Sequence, residues 1–107
     1  MTEPRQLDVA IIGAGTAGMA AYREVAKQTD SVLLIEGNAY GTTCARVGCM
    51  PSKMLIAAAD AAHAGQHAEG FGVHYAQPEI DGGAVMTRLK SLRDRYVNGV
   101  KDSIRSW

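Results

Sequence analysis

Residues 7 to 36 read LDVAIIGAGTAGMAAYREVAKQTDSVLLIE, and the fold class follows from them. Leu7 to Ile12 is apolar apart from Asp8, rich in β-branched residues and closed by Gly13, the pattern of a buried strand. From Thr16 to Lys27 the composition turns helical, with Met19, Tyr22 and Val25 to Ala26 at the spacing of one apolar face. The polar group Gln28 to Ser31 ends that helix, and Val32 to Glu36 is a second apolar strand finishing on a carboxylate. Strand, helix and strand within about 30 residues make a βαβ unit, whose two strands should be parallel. The class expected is α/β, an incomplete doubly wound sheet of Rossmann type with long helices beyond it.

Where the first strand meets the helix, Gly13, Gly15 and Gly18 make GAGTAG, a G-x-G-x-x-G fingerprint. Gly13 permits a tight turn, Gly15 lets the backbone approach a pyrophosphate, and Gly18 lets helix and strand pack closely. Phosphates placed there lie at the positive end of the helix dipole, beside Thr16 and Ala17. Glu36 ends the second strand, where a carboxylate can accept both hydroxyls of an adenosine ribose and would repel a 2′-phosphate. A bound dinucleotide is expected, and the fingerprint alone leaves FAD and NAD both open.

Both cysteines lie in one short stretch, Gly41 to Lys53, GTTCARVGCMPSK. On a regular helix, residues five apart rise about 7.5 Å, beyond the roughly 7 Å reach of a disulfide. Pairing Cys44 with Cys49 therefore needs irregular backbone, which Gly48 and Pro51 supply. A bridge closing so small a loop constrains the unfolded chain little, so its value lies in opening and closing, as a redox switch. Two other readings stand beside this one. Zinc would need further ligands, with His63 and His67 four apart on a helix as candidates, and two inert buried thiols are the third possibility.

The remainder of the chain is helical. Gly37 to Thr43 reads as a loop, Pro51 suits a first helical turn, and the alanine-rich run from Ser52 extends to about Ala68. Gly70, Gly72 and Pro78 interrupt, and Asp81 caps a last helix reaching about Ser106, with Val85, Leu89, Leu92, Tyr96, Val100 and Ile104 as its apolar stripe. Eleven basic and eleven acidic residues give no net charge, so neither a nucleic-acid surface nor an acidic partner is implied. The apolar runs are too short to span a bilayer, and the N-terminus MTEPRQLD lacks the marks of a secretory or transit leader. A cytoplasmic, reducing setting is the expectation.

Taken together, GAGTAG, Glu36 and GTTCARVGCMPSK resemble the opening of the flavin-dependent pyridine nucleotide-disulfide oxidoreductases, and within them most nearly the N-terminal part of dihydrolipoamide dehydrogenase. Gly41, Cys44, Gly48, Cys49, Pro51, Ser52 and Lys53 match the family pattern. The resemblance implies FAD at the fingerprint, held by Gly13, Gly15, Thr16, Ala17, Gly18 and Glu36, with Gly41, Thr42 and Thr43 near the pyrophosphate and Lys53 beside the flavin. It implies a redox-active disulfide in which Cys44 exchanges with a small-molecule dithiol or disulfide, including a protein-bound lipoyl group. Cys49 faces the flavin, and electrons pass between the pair, FAD and NAD. Thr42 stands where the family often has a second glycine, Tyr22 where it usually has alanine, and Ala45 and Arg46 replace the commoner Leu-Asn pair.

The same resemblance makes residues 1–107 the N-terminal portion of an FAD-binding domain, with the NAD-binding and dimerisation domains of a homodimeric enzyme outside it. In isolation these residues are expected to be inactive and to expose apolar surface. A stand-alone FAD-binding or thiol-sensing module is the competing function. Mercuric reductase, glutathione reductase and soluble transhydrogenase are the alternatives within the family.

Overall fold

A computed structural model describes residues 3–107. They form two compact units: one runs to Thr43 and includes Val97–Trp107, and the other is Cys44–Tyr96. Among the described residues no helix is long and apolar enough to cross a membrane.

The first unit is the expected βαβ. Strand β1 (Val9–Ile12) pairs in parallel with β2 (Val32–Ile35), Val9 opposite Val32 and Ile12 opposite Ile35, and helix α1 (Thr16–Val25) joins them. Backbone bonds extend the pairing at both ends. Asp8 and Val9 donate to the Ser31 carbonyl at 3.0 and 3.2 Å, and Gly13 donates to that of Ile35 at 2.7 Å. The Thr29 hydroxyl donates to the Asp8 carboxylate at 2.5 Å and accepts from the Ser31 amide at 3.0 Å, fixing the turn into β2. β1 alternates in burial, with Val9 and Ile11 turned inward, and Ile12 is 87% exposed. Ile12 and Ile35, at the ends of the paired strands, are exposed apolar residues among those described.

The last residue anchors to the same unit. Trp107 stacks on Tyr22 of α1 with ring centroids 4.9 Å apart and planes 12° from parallel, and the Arg23 guanidinium lies over the Trp107 ring at 5.0 Å. Tyr22, bulky where the family usually has alanine, is thus accommodated by an aromatic partner.

In the second unit a short helix α2 (Thr43–Val47) occupies the start of the cysteine stretch, and α3 (Cys49–His67) follows after a break of one residue. α3 begins three residues before the Ser52 start expected from composition, and Pro51 lies in its first turn, where its missing N–H costs nothing. A 3-10 turn, Ala68–Phe71, closes on Gly72 at φ +74°, and irregular chain leads to α4 (Gly82–Arg105), a helix that begins in this unit and ends in the first. The expected cap is present: Asp81 Oδ1 accepts from the Ala84 amide at 2.9 Å.

Among the described residues few apolar side chains are buried, Ala14 and Val97 in the first unit and Ala45 and Leu89 in the second, while Leu55, Ile56 and Phe71 are exposed. On α4 the burial corrects one position of the expected stripe: Val97 is inside, and Tyr96 is half exposed. A tyrosine carries a polar hydroxyl that burial would have to satisfy, and the compact apolar valine next to it takes the interior place.

Candidate functional site: a glycine cradle and a thiol pair

The cradle begins with backbone geometry that only glycine sustains. Gly13 has φ +103°, in the region that L side chains rarely enter. A Cβ on Gly18 would sit 1.8 Å from the Gly13 carbonyl oxygen, so α1 can start this close to β1 only without a side chain there. At Gly15 the opposite holds: nothing lies within 4 Å of where its Cβ would be, leaving open space against the backbone. Gly15 is also the residue before α1 and has no side chain with which to cap it, and no acidic residue stands in the first turn. The N–H groups that open α1 at Thr16, Ala17 and Gly18 therefore meet neither a cap nor a carboxylate of that turn, the condition in which a helix N-terminus accepts a phosphate.

Glu36 follows β2 and reaches back to this turn. Its Oε2 accepts from the Ala14 amide and its Oε1 from the Asn38 amide, each at 2.9 Å. The residue pattern puts a carboxylate at the end of the second strand, and nothing in it announces the two main-chain bonds. The cradle residues fit a dinucleotide, with a positive helix end, a glycine left open and an acid at the end of the second strand.

Just before the thiols, Gly41 has φ +114° and Thr42 has φ +60°, the one described residue other than glycine with positive φ. A β-branched side chain in that conformation is strained, because Cβ crowds the backbone. The glycine that the family often has at this place would carry no such cost.

Gly48 has φ −120° and ψ −110° and interrupts the helix between Val47 and Cys49. This is the irregular backbone that the spacing of the two cysteines demands. Across it, hydrogen bonding to the Cys49 side chain is the main cause that holds the Cys44 thiol above its ordinary pKa. Burial and the charge that Cys49 carries when ionised push the same way, while the Cys49 backbone amide and the Lys53 ammonium pull it down by less. Both cysteines are free, Cys44 half-buried and Cys49 exposed. The disulfide implied by the resemblance is not seen here: both cysteines are free thiols. Ser52 donates from its hydroxyl to the Cys49 carbonyl at 3.0 Å, closing the first turn of α3 around the second thiol.

Zinc finds no support among the described residues, where no three His, Cys, Asp or Glu side chains converge on a metal position. His63 instead bonds Gln66 through Nδ1 at 3.0 Å, and His63 and His67 are both exposed.

A glycine fingerprint turn on a parallel βαβ unit, with two cysteines on either side of a helix break, is the arrangement of a dinucleotide-binding redox protein. The model of the pyridine nucleotide-disulphide oxidoreductase family matches residues 7–105, and the chain belongs to that family. Among curated relatives, it is 39% identical over 94 residues to a dihydrolipoyl dehydrogenase of Halobacterium salinarum, covering 88% of this chain and 20% of that protein. A mercuric reductase of Streptomyces lividans is 41% identical over 86 residues, 79% of this chain and 18% of the relative. A glutathione reductase of Yarrowia lipolytica is 36% identical over 96 residues, 87% of this chain and 20% of the relative. The chain thus spans about a fifth of the length of the relatives it matches. FAD is the cofactor of this family, and its enzymes use a nicotinamide dinucleotide as co-substrate.

Proposed function

We propose that residues 1–107 are the N-terminal portion of the FAD-binding domain of a flavoprotein disulfide oxidoreductase of the dihydrolipoyl dehydrogenase kind. The observation that carries the reading is the family match over residues 7–105, with Cys44 and Cys49 on either side of the helix break at Gly48. Two such thiols close to a disulfide by giving up two protons and two electrons, and a disulfide opens to two thiols by taking them back.

In the dithiol-oxidising direction, a substrate thiolate attacks Cys44 Sγ of the oxidised pair, forming a mixed disulfide and expelling Cys49 as thiolate. The second substrate thiolate attacks the substrate sulfur of that mixed disulfide and expels Cys44. Substrate loses two electrons, the pair gains them, and the two protons end on the cysteines or in solvent. Free Cys44 and Cys49 are the state at the end of that half-reaction. FAD, when bound, would supply a two-electron acceptor for the reduced pair, with NAD as the onward acceptor. Gly13, Gly15, Thr16, Ala17, Gly18 and Glu36 would hold its adenosine and pyrophosphate, with Gly41, Thr42 and Thr43 contributing and Lys53 offering a cation for reduced flavin.

The substrate is a small dithiol or disulfide, with a protein-bound lipoyl group among the candidates. The relatives named as mercuric and glutathione reductases keep those substrates as the second reading. The proposal extends to a cytoplasmic homodimer whose NAD-binding and dimerisation domains lie outside residues 1–107. FAD titration followed by quenching of flavin fluorescence tests the cofactor assignment. Saturable quenching that is lost on changing Gly15 to a bulky residue supports it, and quenching indifferent to Gly15 would count against it.

A further inference from the structure

The Ala14 amide is in the middle of the fingerprint turn, and the Ala14 residue is 1% exposed. Its proton goes to Glu36 Oε2 at 2.9 Å, and the other oxygen of the same carboxylate takes the Asn38 amide, also at 2.9 Å. One residue earlier, Gly13 donates to the Ile35 carbonyl at 2.7 Å. Successive amides of the turn are therefore hung on successive acceptors at the end of β2, first a main-chain carbonyl and then a side-chain carboxylate.

We infer that Glu36 is a positioning residue: before any ligand arrives, its carboxylate latches the phosphate-binding turn to the end of β2 and to the loop that follows. A buried amide without an acceptor is costly, so the latch stabilises this shape of the turn over others. A carboxylate oxygen can accept more than one hydrogen bond, and a bound dinucleotide would add to the latch without displacing it. This last step rests on the FAD reading; the latch itself does not.

Amide hydrogen exchange in the flavin-free protein, followed by NMR, tests the inference. In the unchanged protein the Ala14 amide should be protected to the level of the β1 and β2 ladder amides; exchange at the rate of an exposed loop amide would overturn it. Glu36→Gln can accept at only one of the two positions, since its NH2 meets an N–H at the other. It should exchange Ala14 or Asn38 about tenfold faster or more, with the ladder amides unchanged. Unchanged exchange at both would also overturn the latch. Should the variant lose its ladder protection as a whole, the result in the unchanged protein decides. Adding FAD should leave Ala14 as protected as before, and faster exchange on binding would mean that ribose displaces the latch. Failure to bind FAD, with Ala14 still latched, would remove the cofactor assignment and leave the inference standing.

Discussion

Cys49, five positions on and across the helix break at Gly48, is the main cause that holds the Cys44 thiol above its ordinary pKa.

The direction of the Cys44 shift gives a pH prediction. Its pKa is raised, so the neutral thiol is the form that the fold favours. That contribution to stability is complete below the pKa of an unfolded thiol, about 8.5, and is lost as pH rises through the higher folded value. In iodoacetamide labelling read by mass spectrometry, Cys44 should gain reactivity at higher pH than a cysteine in the urea-unfolded chain. Cys49→Ala should move the curve down, and Lys53→Met should move it further up.

Gly18 admits no side chain. Gly18→Ala places a methyl 1.8 Å from the Gly13 carbonyl oxygen, and the obstacle is backbone, not a side chain that can turn away. A loss of about 3 kcal/mol or more in urea unfolding is expected, together with loss of dinucleotide binding.

Thr42 should respond in the opposite sense. Its φ of +60° suits glycine, so Thr42→Gly relieves strain at some cost in unfolded-state entropy. The net expectation is stabilisation of about 0.5–1 kcal/mol, measurable as a higher urea midpoint at unchanged slope.

Tyr22 and Trp107 should be energetically coupled. Stacking at 4.9 Å predicts an interaction energy of about 0.5–1.5 kcal/mol in a double-mutant cycle of Tyr22→Ala and Trp107→Ala. Additive losses would mean that the stack contributes nothing to the fold.

How far these relationships were legible in the sequence depends on how local their causes are. The βαβ unit could be read to within two residues from Leu7 to Glu36, because a strand, a glycine turn and a helix each leave a pattern in adjacent residues. The Asp81 cap was legible for the same reason. Helix α2 was not: Thr43 to Val47 is a single turn with β-branched residues at both ends, and it takes helical form in a stretch whose composition reads as loop. The exchange of Tyr96 for Val97 inside is decided by packing that helical periodicity does not encode. The bonds from Ala14 and Asn38 to Glu36, and the stack of Trp107 on Tyr22, bring together residues whose proximity exists only after the chain has folded.

The central claim is that Cys44 and Cys49 are one reversible two-electron couple, and equilibration of the chain in mixtures of a lipoyl dithiol and its disulfide tests it most directly. After acid quenching and alkylation, mass spectrometry should show a single transition between a form with two labels and an unlabelled form lighter by two hydrogens, with Cys44 and Cys49 in one peptide bridge. Independent labelling of the two cysteines across the series, with no intramolecular bridge under the most oxidising mixture, would contradict the account.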